Sequence, residues 1–326
     1  WAKYPTALEG FGTPADPYLI TTAAEFRAIG TETYGYDKNY ILSADMTVTA
    51  PNAGPFTGAF DGGGKKVTLI IGVEGAPASG ETMGLFGILN GAAVRNLVID
   101  GLLYAAGNDT YAGAVAGQAY NSTIQAVASH AIIVTVSKGS GGAGGVAGRA
   151  FNLTVEDSYS TRNIIAIAEG GAAHAGGIIG SAGDASSGSR VTINRCFSSS
   201  KITAEGATGA CSGGILSLVN TGTTGAVNNC AALNSGITTG GADPSRGRIV
   251  NIESGVTLNN NYAEIGMVFT PVYTPSNNVT GPDGAAVPIQ DTQEKSWWTA
   301  TLHWSFGSSS NAPWSWGAEA PTLWFE

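Results

Sequence analysis

Apolar residues in the middle of the chain return with a long period, and the intervals between them are polar and glycine-rich. Six segments share a small-Gly-x-apolar-apolar-Gly pattern or a close relative. They are Met83–Gly87, Gly113–Gly117, Gly144–Gly148, Gly176–Gly180, Gly213–Ser217 and the weaker Gly247–Asn251. Their closing residues lie 30, 31, 32, 37 and 34 positions apart. A second column, Val94, Ile124, Val155, Ile193, Val227 and Leu258, runs in phase at spacings of 30, 31, 38, 34 and 31. A third, looser column comprises Leu102–Leu103, Ile132–Val134, Ile164, Ile165 and Ile167, Ile202 and Ile237. Each repeat therefore holds three short strand-favouring runs separated by Gly, Asn, Ser or Asp. One repeat cannot close a core, but stacked repeats pair each strand with its counterpart and turn each apolar column into a ladder. Glycine suits the sharp corners because it adopts positive φ without steric cost. A leucine-rich repeat has a shorter period and regular leucines, both missing here. The pattern predicts an all-β, three-sided parallel β-helix.

The two ends depart from the repeat. Thr22–Ile29 reads as a short helix, with Thr21 or Thr22 as cap, Glu25 in the first turn, and Ala23, Ala24, Phe26 and Ile29 on one apolar face. Laid over the first rung, such a helix would cover an open strand edge. Six of the seven tryptophans fall between residues 297 and 324, which predicts an aromatic C-terminal cap. One structural domain is expected: 1–55 as N-terminal cap and first strands, 56–267 as rungs, and 268–326 as a Trp-rich capping segment.

Three stretches resemble a known family. Phe11–Ile20 (FGTPADPYLI) is similar to an opening that precedes a capping helix, Phe56–Gly64 (FTGAFDGGG) to a strand-turn, and Gly84–Gly87 (GLFG) to the Gly-Leu-x-Gly signature. Together they resemble the GLUG-motif β-helix proteins of bacterial surfaces, which also occur in the non-catalytic part of some IgA-cleaving metallopeptidases. The resemblance covers most of residues 11–240; Ser217 and Asn251 depart from its closing glycine. It implies a right-handed helix and a surface-exposed scaffold, and it brings no catalytic residues with it.

Composition narrows the partners. Charged residues make up 12% of the 326, about half the usual share, and the net charge is −9. That balance opposes nucleic acid and anionic membranes, and no apolar run reaches the ~20 residues of a membrane span. Three cysteines make no disulfide framework. Low lysine content with abundant Ser, Thr, Asn and Gly suits an extracellular or cell-surface protein. A chain opening at Trp1 is expected of a processed or trimmed form. The sequons at Asn108, Asn121, Asn152 and Asn278 are about what chance gives in such a composition.

Candidate chemistry is sparse. His130, His174 and His303 are the only histidines, and no His-Glu-x-x-His occurs, so no metal site and no cofactor are expected. His130 reads as the end of a rung turn and His174 as part of a glycine-rich loop. Glu169 and Glu205 precede successive anchors by similar distances and are the one candidate carboxylate pair for acid/base work. A solvated corner is their blander reading. Asn194, Asn228 and Asn259 align as an amide ladder. Cys196 and Cys230 share an offset, which allows a disulfide or two stacked thiols. Of the tryptophans, Trp304 and Trp324 are expected to be buried, with Trp297, Trp298, Trp314 and Trp316 as candidate ligand contacts. The leading expectation is a non-enzymatic scaffold, adhesin-like or a subunit of a surface assembly, with a glycan or another surface subunit as partner. The alternative is a polysaccharide lyase or glycoside hydrolase on the same fold.

Overall fold

The computed structural model describes residues 7–183, 188–251 and 255–326. It is a parallel β-solenoid of about seven turns, built from one 20-stranded and two six-stranded parallel sheets, with a separate three-stranded antiparallel sheet near the C-terminus. Strand register confirms the repeat alignment. Phe60, Val94, Ile124, Val155, Ile193, Val227 and Leu258 stand opposite one another from rung to rung, all buried. Tyr40 continues this column at the first rungs. Ile71, Leu103, Ile133, Ile164, Ile202, Ile237 and Phe269 form a second continuous buried column. Burying each such side chain stabilises the stack by roughly 1.5–3 kcal/mol.

The repeated glycine motif is a corner between two sheets rather than a turn after one strand. In one rung Tyr111–Gly113 ends one six-stranded sheet and Ala116–Tyr120 begins the other. The closing glycine faces the sheet of the preceding strand so closely that a Cβ on Gly117 would run into the backbone of Thr82 and Met83. Ser217 fits in its place because its hydroxyl donates to the Cys211 carbonyl at 2.7 Å.

The N-terminal helix forms at Ala23–Ala28. Thr22 and Glu25 make a capping box, satisfying N–H groups that the first turn leaves free. Its Phe26 is fully buried and meets Phe60 and Phe86 edge-on at 5.9 and 5.5 Å, which closes the first rung. At the other end, Val268–Thr270 and Ala285–Val287 still pair in parallel with the preceding rung. The solenoid therefore extends beyond residue 267, and the segment that leaves it starts at Pro288. Two short helices, Ile289–Thr292 and Lys295–Ala300, lead into the antiparallel strands Phe306–Ser309, Ala312–Trp316 and Pro321–Leu323.

Candidate functional site: the flank beneath the C-terminal strap

One outward column carries a continuous run of polar side chains. Asp61, Arg95, Gln125, Glu156, Asn194, Asn228 and Asn259 face one another in successive rungs. The expected amide ladder is present: Asn228 donates to Asn194 at 2.7 Å and Asn259 to Asn228 at 2.8 Å. Asn194 in turn donates to Glu156 at 2.8 Å, and Arg95 Nε binds Asp61 at 2.8 Å. The next residue of each rung bends the chain away with a left-handed backbone. Asn96, Ala126, Asp157, Arg195, Asn229 and Asn260 all have φ between 49 and 55°. Four of the six are Asn or Asp, the residues that tolerate this conformation best after glycine. Asp157 is buried and pairs with Arg195 through Nε at 2.6 Å and Nη2 at 2.9 Å. The hydrogen bond to Asp157 outweighs burial and holds the Arg195 guanidinium firmly protonated.

Beyond the left-handed residue comes a second outward column, Val98, Ala128, Tyr159, Phe197, Ala231 and Tyr262. Tyr159 and Phe197 stack in parallel at 4.6 Å. This stripe is where the tryptophans go. Trp298, Trp304 and Trp314, with Leu302 and Leu323, bury themselves against Ala126, Ala128, Tyr159, Phe197 and Ala231. The aromatic segment is thus a strap along the flank, running back against the direction of rung growth. Thr301 accepts from Asn260, Trp304 donates to the Asn229 carbonyl, Trp314 donates to Asp157, and Phe325 lies over Gly64.

This placement corrects the tryptophan assignments. Trp298 and Trp314 are fully buried, with their indole N–H groups bonded to Thr292 and Asp157, so both serve the packing of the strap rather than standing exposed as expected. Trp297 and Trp316 are half-buried, against Tyr262 and Phe306 respectively. Trp304 is buried as expected, whereas Trp324, expected to be buried, is 36% exposed.

At one margin of the strap, the Glu326 side chain is gripped by the solenoid. Tyr159 donates its hydroxyl to both Glu326 carboxylate oxygens at 2.7 and 2.8 Å, and His130 Nε2 stands 3.2 Å from Oε1. His130 Nδ1 meets Thr161 Oγ1 at 2.8 Å. Burial opposes ionisation of Glu326, but hydrogen bonds from His130, the Leu323 N–H and Tyr159 outweigh it and hold the carboxyl below its usual range. Burial first, and then Glu326, push the Tyr159 phenol far up. A phenol this buried and engaged is a clasp, unsuited to proton transfer at neutral pH. Beside it, a cleft of about 390 Å³ opens between Phe197, Ser199, Trp298 and Pro321.

The other candidate residues lie elsewhere. Glu169 and Glu205 are both exposed, but register sets Glu205 opposite Ile167, two positions away from Glu169, so they form no rung-to-rung pair. Cys196 and Cys230 are free, buried, neighbouring thiols. Burial and the hydrogen bond to Cys230 raise the Cys196 thiol well above its usual value. His130 sits within the strand Thr123–Ser137 instead of ending a turn. His174 belongs to the strand Ala172–Gly176 rather than a loop; burial, then Arg149, push it down to about 4. Among the described residues, no three metal-ligating side chains gather.

No family model matches the chain. An alignment 139 residues long, covering 36% of this chain and 1% of the other protein, is 33% identical to halomucin of Haloquadratum walsbyi. Among solved structures, the chain is similar to a Bacteroides ovatus protein described as "a putative immunoglobulin A1 protease". The TM-score is 0.69 at 20% identity, covering 97% of this chain and 95% of the other. That likeness establishes the fold.

Proposed function

We propose that this chain is a cell-surface or secreted β-helix scaffold of the GLUG-motif type, adhesin-like or a subunit of a surface assembly, that binds a partner and performs no reaction. The observation that carries this reading is the ladder from Asp61 to Asn259. From Glu156 to Asn259 its side chains bond one to the next along the axis, as in a structural spine, where a catalytic groove would aim carboxylates at a substrate. The stretch similar to halomucin supports a place outside the cell. The carbohydrate-active enzyme reading is weakened by the displaced register of Glu169 and Glu205. The experiment is labelling of intact producing cells with a membrane-impermeant amine reagent. Exposed Lys66, Lys138, Lys201 and Lys295 should be modified before lysis; modification only after lysis would overturn the surface placement.

A further inference from the structure

The second margin of the strap is open. A cavity of about 370 Å³ lies there, and a second of about 410 Å³ on the solenoid adjoins it, the two sharing Asp61 and Arg95 as a common wall. The larger reaches back to Pro14, Pro17 and Asn39. The smaller runs on to Gln125, to Asn311 at the tip of the strap hairpin, and to Trp324. Their sizes fall within the range of small-ligand sites.

We infer that this continuous groove binds a neutral oligosaccharide, with one sugar ring stacked on Trp324. The inference rests on the surface reading above and names the ligand class and the site.

Three observations carry it. First, the indoles of Trp298, Trp304 and Trp314 each donate to an acceptor, Thr292 O, Asn229 O and Asp157 Oδ1. Among the described residues, no such acceptor meets the exposed Trp324. Its ring packs edge-on against Phe325 at 5.4 Å, and its backbone N–H donates to the Pro313 carbonyl, which sets where the chain presents it. An exposed, pre-positioned indole with an apolar face and a free donor suits the C–H face and hydroxyl rim of a pyranose.

Second, the groove is walled by planar polar side chains. Arg95 uses Nε on Asp61 while its side chain stays 61% exposed, which leaves its terminal nitrogens as donors. Asp61, fixed by Arg95, Asn96 and the Gly63 N–H, supplies acceptor capacity on the same wall. Asn39 and Gln125, whose amide nitrogens also donate to the Gly12 carbonyl and to Asp157, and Asn311 add amide groups to the wall. The two charges cancel, so the wall favours a neutral chain of hydroxyls over a polyanion.

Third, Asp61, Arg95 and Gln125 come from consecutive rungs. Parallel strands lie ~4.8 Å apart, comparable to the length of one sugar ring, so successive rungs can address successive sugars.

The test titrates the full chain with neutral oligosaccharides from monosaccharide to hexasaccharide, and with a uronate-containing series and an extended peptide for comparison. Heat release and Trp fluorescence are the readouts. Affinity should rise with length in the neutral series. Trp324→Ala and Arg95→Gln should each weaken the best oligosaccharide by about tenfold or more, while Trp324→Phe keeps part of it. Unchanged thermal unfolding would show that the variants fold. Binding that ignores both substitutions, a preference for uronate or peptide, or no glycan binding at all would overturn the inference. Surface labelling of intact cells is a separate measurement, so loss of the glycan site and loss of the surface placement are told apart.

Discussion

The indole N–H of Trp314 reaches Oδ1 of Asp157 at 3.2 Å, across 157 residues of chain. The same carboxylate holds Arg195 one rung on and accepts from Gln125 of the ladder at 3.4 Å, so a single buried acid joins the ladder to the strap. Replacing it with alanine strands an indole donor and an arginine together. Asp157→Ala should lower unfolding free energy by about 2–4 kcal/mol, read from the denaturant midpoint. Asp157→Asn retains an acceptor for Trp314 and should cost less. Equal losses in the two variants would detach the strap from this account.

The clasp at Glu326 contributes to both limbs of the stability–pH profile. A carboxyl whose folded pKa is depressed contributes stability above its unfolded value of about 4.3, and that stability is lost as pH falls through the lower folded value. Tyr159 acts in the opposite sense. Its raised folded pKa contributes stability below about pH 10, lost as pH rises and the unfolded phenol ionises. Glu326→Gln should flatten the acid limb of a stability–pH profile, and Tyr159→Phe the alkaline limb. An acid limb unchanged in Glu326→Gln would refute the carboxylate's part.

The three thiols should be silent in the native state. Cys196 is buried and raised, and burial pushes Cys211 up to about 11. At pH 7.5 a thiol-reactive chromophore should label none of them within minutes and all three after denaturation. The intact mass should not change on reduction, since all three cysteines are free.

Core and surface positions of neighbouring repeats should separate cleanly. Ile193→Ala removes methyl groups from the shared column and should cost about 2–5 kcal/mol. Ile165→Ala, at a half-exposed outward position, should cost markedly less. Similar losses would mean that the column is not the common core.

The repeat, its register and the N-terminal cap were legible because each depends on residues that recur or sit close in sequence. The strap was not, because its docking stripe belongs to the solenoid and its tryptophans to a distant segment. A signal did exist: Tyr159 and Phe197 each fall four residues after an inward residue, Val155 and Ile193, where an outward side chain would otherwise meet water. Two aromatics at that offset imply a cover. Glu169 and Glu205 misled for a local reason. The turn from Ala168 to Ala172 is one residue longer than its counterpart from Gly206 to Gly209, so distance to the next anchor does not preserve register.

The course of the strap changes how the molecule can come apart. A stack held only by nearest neighbours unwinds from either end, one turn at a time, each loss nearly independent of the rest. Here one segment touches the turn of Asn260, those of Asn229 and Asp157, and the early corner at Gly64. Shedding a terminal turn therefore means peeling a crosspiece from turns that are still intact. An otherwise sequential dismantling becomes a single all-or-none event, with the strap as the lock that holds distant turns together.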